Sequence, residues 1–283
     1  MSILPKKNEL GFYEIRLESI GGLGANLAGK MLAEAGVLGL GLNGSNFSSY
    51  GSEKKGSPVK SFVRFCEPDT EIRVHSPIEE PHVVGVFHEA LYKMVDVVSG
   101  LSPDGILLVN STRDFDNIKK DLHLEHGTLA IVDALSIAVE EKTKVNTAML
   151  GALYRIIDFL DPEAMKNVIR KTFEKKYPHL VEPNIRTFER GYNDVQFKTY
   201  APEEGAQGKE FKRPMPLLGY ETQEIGGVIT AQANSVLKDL SGSRQGFLPQ
   251  FNQQECINCA ACDTACPDYC FVWEEGEDKR GRK

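Results

Sequence analysis

Five of the six cysteines in this 283-residue chain fall in one short run near its carboxyl end, ECINCAACDTACPDYC, residues 255–270. Four are spaced Cys256-x2-Cys259-x2-Cys262-x3-Cys266, and Pro267 follows directly. Two-residue gaps let one tight loop aim three thiolates at a single inorganic cubane, and a proline after the fourth turns the chain away from it. The chemistry this pattern serves is a [4Fe–4S] cluster with Cys256, Cys259, Cys262 and Cys266 as ligands. A structural zinc site would separate two Cys-x2-Cys pairs by a longer stretch, and the run has no such gap. A disulfide framework belongs to short secreted chains, and no signal peptide opens this one. Cys66, alone in SFVRFC, reads as a packed apolar side chain.

In two-cluster proteins of the bacterial ferredoxin type, the fourth cysteine of such a run serves the other cluster. Two clusters are therefore expected, and a second Cys-x2-Cys-x2-Cys run should follow. After Cys270 comes FVWEEGEDKRGRK, which reads as a strand and the charged turn of a hairpin without its returning strand. The expectation is that this chain stops inside a two-cluster domain. Otherwise Cys270 or a partner chain completes the site, although Cys270 reads better as a packed neighbour.

A second chemical candidate is SIGGLGANLAGKM. As a dinucleotide fingerprint it has Gly22-x-Gly24 but Leu27 at the third position, and no acid ends the next strand. As a phosphate loop it has Gly24-x4-Gly29-Lys30, but Met31 stands where a hydroxyl must reach magnesium. Glycines that turn a strand sharply into a helix, with or without an anion at the helix amino end, account for it better. SSYGSEKKGSPV, residues 48–59, is a glycine-bounded charged loop, either a solvated tip or a docking element stiffened by Tyr50 and Pro58. His75, His82, His88, His123, His126 and His179 make no metal-spaced pair, and no Gly-Asp-Gly signature for thiamine diphosphate occurs. Carbon chemistry must come from elsewhere.

These residues need positioning elements. FYEIRLESI, SPVKSFVRF, HVVGVF, GILLVN and TLAIVDA read as strands. ANLAGKMLAEAGVL reads as a helix with Leu27, Met31, Leu32 and Ala35 on one face, and HEALYKMVDVVSGL as an amphipathic helix. From NTAMLGALYRIIDFL onward the chain reads helical, through PEAMKNVIRKTFEKKY to PNIRTFERGYNDVQF. Apolar strands alternating with helices predict a parallel sheet covered on both faces. The expected division is an α/β, Rossmann-like doubly wound domain over residues 1–200, a linker or wrapping segment over 201–250, and a ferredoxin-like α+β iron–sulfur domain over 251–283, incomplete as it stands. A net charge of −7 argues against nucleic acid as the main partner. No apolar stretch reaches the ~20 residues that span a bilayer, and reduced, cluster-holding cysteines imply the cytoplasm.

IRLESIGGLGANLAGKMLAEAG, YGSEKKGSPVKSFVRF, NTAMLGAL and CINCAACDTACP together resemble the 2-oxoacid:ferredoxin oxidoreductase family. The front is similar to its gamma subunit and the back to its ferredoxin-like delta subunit. The resemblance implies alpha and beta catalytic partners that carry thiamine diphosphate and magnesium and cleave a 2-oxoacid such as pyruvate. It implies ferredoxin as electron acceptor and an electron-transfer and scaffold role for this chain. Gly21, Gly22, Gly24, Tyr50, Gly51, Gly56 and Pro58 match gamma motifs with structural or docking roles. Leu23 stands where the family often has glutamine, and Lys54 and Lys55 where it has arginines, so an oxalate-cleaving relative stays beside the pyruvate enzyme. Two other classes remain open: an NAD(P)H-binding oxidoreductase with a ferredoxin appendix, and an assembly protein holding a structural cluster.

Overall fold

The computed structural model describes residues 3–51, 56–201, 209–211, 225–226, 250–252, 254–267, 271, 276–277 and 281. Two compact units divide the chain, Met1–Pro214 and Met215–Lys283. The first is built on seven strands: β1 (Tyr13–Ile20), β2 (Asn43–Tyr50), β3 (Pro58–Cys66), β4 (Val83–Val86), β5 (Ile106–Asn110), β6 (Gly127–Val132) and β7 (Gln196–Tyr200). They form one sheet in the order β2-β3-β1-β4-β5-β6-β7. Six helices join them: α1 (Ala25–Leu40), α2 (Phe115–Asp121), α3 (Ala134–Glu140), α4 (Val145–Ile156), α5 (Pro162–Glu174) and α6 (Val181–Asp194).

The sheet is mixed, which corrects the expectation of a parallel one. β1, β4, β5 and β6 run parallel, but β3 is antiparallel to both β1 and β2, and β7 to β6. A short hairpin suffices to insert β3 antiparallel between its neighbours, whereas a parallel neighbour needs a long crossover. GYNDVQF stays helical only through Asp194. α6 ends at Asp194 and Val195 is already extended, so QFKTY pairs as an edge strand with Thr128 and Thr199 hydroxyls 3.0 Å apart. HEALYKMVDVVSGL is likewise not an amphipathic helix. A single 3-10 turn, Glu89–Lys93, gives way to turns. Val95, Val97, Val98 and Gly100 favour helix weakly, and the Val97 and Ser99 carbonyls accept hydrogen bonds from Arg16 instead.

β1 explains how a long irregular strap can be buried. Tyr13, Ile15 and Leu17 face an apolar core with α1 and α4, while Glu14, Arg16 and Glu18 alternate onto the other face, all buried. Residues 67–82 contain no regular element, so their carbonyls need donors from elsewhere. Arg64 supplies them to Val74 and Ser76, and Arg16 to Ile78 and Glu79. Each arginine also has its acid: Arg64 with Glu14 at 2.5 Å and Arg16 with Glu18 at 2.8 Å. Burial outweighs the ion pair in shifting Glu14 upward and Arg16 downward from their ordinary values. Cys66 is fully buried at the end of β3, its thiol donating to Thr70 O at 3.1 Å.

In the second unit a short helix, α7 (Ala261–Ala265), lies within the cysteine run. Phe251 and Phe271 meet edge to face with centroids 6.2 Å apart, drawing together the chain on either side of that run. The expected linker and wrapping stretches, the strand FVWEE and Cys270 fall almost entirely outside the described residues. Among the described residues no helix is long and apolar enough to cross a membrane.

Candidate functional site

The glycine turn after β1 is built for close approach. Gly22 and Gly24 take φ of 105° and 89°, which side chains with a Cβ rarely adopt. The Gly21 N–H donates to Ser57 O at 2.9 Å, which binds the turn to the base of the β2–β3 hairpin. The hairpin is tied a second time: Asn26 Nδ2 donates to the Tyr50 hydroxyl and Ser48 Oγ to Asn26 Oδ1. Gly21, Gly22, Gly24, Tyr50, Gly51, Gly56 and Pro58 are thus grouped around the amino end of α1, with Tyr50 more than half exposed. Residues 52–55, which carry Glu53, Lys54 and Lys55, lie outside the described residues.

That amino end is electrostatically open. α1 has no side-chain cap and no acid in its first turn, so its leading N–H groups keep their positive end of the helix dipole uncompensated. The contrast is with α2, α3 and α5, whose amino ends are closed by Asp114, Asp133 and Asp161 accepting from their own first turns. A cavity of about 500 Å³ at the carboxyl ends of β5 and β6 is lined by Arg113, Asp133, Glu140 and Arg190. Its two arginines are already paired, with Asp121 and Glu140 respectively, and aspartates hold its helix ends. The cavity therefore does not suit the phosphates of a dinucleotide.

Sequence reasoning missed Asn146. It is 2% exposed, and a Cβ on Gly24 would stand 3.0 Å from its amide. Its Nδ2 has no hydrogen-bond partner among the described residues. A buried donor left unsatisfied costs about 1–3 kcal/mol, so one aimed at an uncapped helix end marks a place for an acceptor. Its sequence signals were its place at the start of NTAMLGAL, one of the stretches that carry the family resemblance, and the polar pair Asn146-Thr147 in an otherwise apolar run. Asn146 is positioned by a seam between α4 and α6. Gly151 and Gly191 let the two backbones touch, Thr147 donates to Asn184 Oδ1 at 2.8 Å, and Thr143 and Thr187 hydroxyls meet at 2.8 Å.

These features can be set against known proteins. Residues 14–194 match POR, pyruvate ferredoxin/flavodoxin oxidoreductase. The chain belongs to that family. It is similar to the pyruvate synthase subunit PorC of Thermotoga maritima, 41% identical over 188 residues that make up 65% of this chain and 95% of the relative. It is also similar to the common gamma subunit of the pyruvate/ketoisovalerate oxidoreductases of Pyrococcus furiosus, 35% identical over 185 residues, 65% and 97% of the two chains. The crystal structure of the Thermotoga maritima pyruvate oxidoreductase subunit PORC superposes with a TM-score of 0.58 and 36% identity, over 66% of this chain and 98% of that one. A 2-oxoglutarate:ferredoxin oxidoreductase from Magnetococcus marinus shares the fold, at a TM-score of 0.53 and 20% identity over 71% of this chain and 34% of that one. The protein is therefore a gamma-type subunit of a 2-oxoacid:ferredoxin oxidoreductase. The family match ends at residue 194, before the cysteines.

The cysteine run belongs to the second unit. Cys259 is exposed and Cys256, Cys262 and Cys266 are half-buried, all as free thiols. Among the described residues no three His, Cys, Asp or Glu side chains converge as a metal site. The backbone around them is unusual. Asn258 and Ala260, the residues flanking Cys259, both have positive φ, 56° and 59°. The Asn258 N–H donates to Cys256 Sγ at 3.4 Å, and the Cys266 N–H closes α7 on Cys262 O at 2.9 Å. Left-handed turns at non-glycine residues cost of order 1 kcal/mol each. Four soft thiolate donors at these spacings fit a [4Fe–4S] cluster.

Proposed function

We propose that this chain is a fused gamma–delta, electron-transfer and scaffold subunit of a thiamine-diphosphate-dependent 2-oxoacid:ferredoxin oxidoreductase, acting on pyruvate or an oxalate-like acid. Residues 1–200 form the gamma-type scaffold, 201–250 the connecting and wrapping segment, and 251–283 a ferredoxin-like iron–sulfur domain. Cys256, Cys259, Cys262 and Cys266 hold [4Fe–4S] iron, with a second cluster sharing the domain. The observation that carries this reading is the four-cysteine run with its two left-handed residues on either side of Cys259. Thiamine diphosphate and magnesium sit on alpha and beta partner subunits, ferredoxin accepts the electrons, and the complex works in the cytoplasm.

A bound [4Fe–4S] cluster takes up and releases one electron at a time. This chain's own contribution is to fix the thiolates and tune them. N–H groups directed at sulfur, as from Asn258 to Cys256, favour the more reduced, more negative state. The exposure of Cys259 leaves an edge open toward an electron acceptor. At the gamma domain, the uncapped α1 terminus with the Asn146 amide supports a second role, receiving a phosphate or carboxylate oxygen of a ligand that the catalytic subunits also bind.

Purification without oxygen, followed by iron and sulfide analysis and electron paramagnetic resonance after dithionite, tests the first role. Iron and sulfide in near-equal amounts, a reduced-cluster signal and co-purifying chains with thiamine diphosphate are the expected result. Zinc in place of iron, or no paramagnetic signal, refutes it. Bleaching of the isolated chain by NAD(P)H would instead support a nucleotide-dependent oxidoreductase.

A further inference from the structure

The chain does not leave the first unit where β7 ends. Lys209, Glu210 and Phe211 lie along the loop that precedes β5. The Gly100 N–H donates to the Lys209 carbonyl at 2.8 Å and Ser99 Oγ to Glu210 O at 3.5 Å. Lys209 Nζ pairs with Asp96 at 2.9 Å. A Cβ built on Gly100 would stand 3.4 Å from Phe211 Cβ. The loop that receives them is closely defined. Gly100 has φ 77°, and a Cβ there would lie 1.8 Å from the backbone oxygen of Glu79, so no other residue fits. Beneath it, buried Arg16 donates to Val97 O and Ser99 O on one side and to Ile78 O and Glu79 O on the other. One guanidinium thus holds both walls of the seat.

We infer that the 96–100 loop is a docking seat for the chain's own connector, and that Lys209–Phe211 is the clip that fills it. β7 runs antiparallel to β6 and brings Tyr200 opposite Gly127, at the edge where the parallel strands begin. The seat, just before β5, lies at that same edge. The glycine turn with Asn146, following β1, lies at the opposite one. The clip therefore lies at the edge away from the glycine turn. With Phe211 held at the seat, the free connector starts no earlier than residue 212. A shorter tether narrows the volume a linked group can sample and raises its effective concentration near its anchor. The benefit to electron transfer rests on the function proposed above; the seat itself does not.

The test is hydrogen–deuterium exchange on the full chain in its complex, comparing the native protein with a triple variant, Lys209→Gly, Glu210→Ser and Phe211→Gly. These residues contribute nothing to the apolar core, so melting of the sheet unit should be unchanged. With the Lys209–Asp96 ion pair and the Phe211 contact removed, the segment should detach and release the Gly100–Lys209 backbone bond, which predicts about tenfold faster exchange of the Gly100 amide. Phe211→Ala, which keeps the Lys209–Asp96 pair and loosens the segment less, predicts a smaller acceleration of about threefold. Gly100 exchange equal in native and triple-variant proteins overturns the clip. Iron content and the dithionite signal, read on the same samples, report on the other proposal separately. An iron-free native protein with a protected Gly100 removes the electron carrier and keeps the clip, whereas retained iron with an unprotected Gly100 removes the clip alone.

Discussion

Gly151→Ala is the sharpest test of how α4 is held. A Cβ at this position would lie 2.0 Å from Phe188 O and 2.8 Å from Tyr192 N, both backbone atoms of α6. No rotamer change relieves such a contact, so the helices must separate by about 1 Å to restore an ordinary carbon–oxygen distance. Overpacking of this kind costs about 1–3 kcal/mol. Separation also stretches the buried bond from Thr147 to Asn184, now 2.8 Å, and an unsatisfied buried group adds about 1–3 kcal/mol. Against this, alanine favours helix over glycine by about 1 kcal/mol. The net expectation is a loss of about 2–4 kcal/mol. For a unit of this size that lowers the melting temperature by roughly 10 °C, at about 2–4 °C per kcal/mol. Gly191→Ala meets Ala148 O at 2.1 Å across the same seam. The double variant should therefore cost less than the two singles together, since either one opens the contact for both. Chemical denaturation of all three variants measures this. If Gly151→Ala is neutral, or stabilised by about the propensity gain of 1 kcal/mol, the helices do not touch as described and Asn146 is not fixed by this seam.

Three single sites give further outcomes. Asn146→Asp places a carboxylate at a site only 2% exposed, where desolvation outweighs the helix dipole, so it should lower stability at neutral pH by about 1–3 kcal/mol. It should also abolish any rise in melting temperature on adding inorganic phosphate, read by a thermal-shift titration of native and variant proteins. His82 is held neutral by burial against Tyr13 and by the charge of Lys6, its pKa lowered to about 4. A folded pKa below the unfolded one means stability is fully present above about pH 6.5 and is lost as pH falls toward 4. The full shift corresponds to about 3 kcal/mol, and the ring's partial exposure to solvent reduces this to roughly 1–2 kcal/mol. His82→Gln should flatten that part of the stability profile in urea melts taken across the window. Cys256→Ser removes one thiolate and should lower the iron of its cluster by at least a quarter, an eighth of the iron per chain when two clusters are loaded, in anaerobic preparations, because each cluster iron needs its own ligand; unchanged iron would place the cluster elsewhere.

Much of the scaffold was legible because its signals are local. β4, β5 and β6 announce themselves as short apolar runs and β1 as an alternating one, and Asp161-Pro162 marks the start of α5 by fixing φ at a helix's first turn. The illegible parts depended on contacts distant in sequence. NGSNFSSY has no apolar alternation, yet it is β2, because β3 offers it eight residues of ladder. VVSG could not be seen to lose its helix, because the group that claims its carbonyls is Arg16, more than eighty residues earlier. The glycine turn is legible as a turn from its own residues. Its amide partner is not, since Asn146 reaches Gly24 only after the intervening strands and helices have been laid down.

This difference bears on how the two candidate sites should be weighed. The cysteine site is local: its ligands span eleven consecutive residues, and positive φ at Asn258 and Ala260 is a property of that segment alone. It can form before any partner arrives, and metal binding to such a loop contributes directly to its folding. The α1 terminus is global: it needs β1 to aim the turn, the hairpin to brace it through Tyr50 and Ser57, and the α4–α6 seam to bring in Asn146. Substitutions far from that terminus, such as Gly151→Ala, should therefore weaken anion binding there while leaving iron content unchanged. If the same substitution lowered both in equal measure, the cysteine site would not form from its own segment alone.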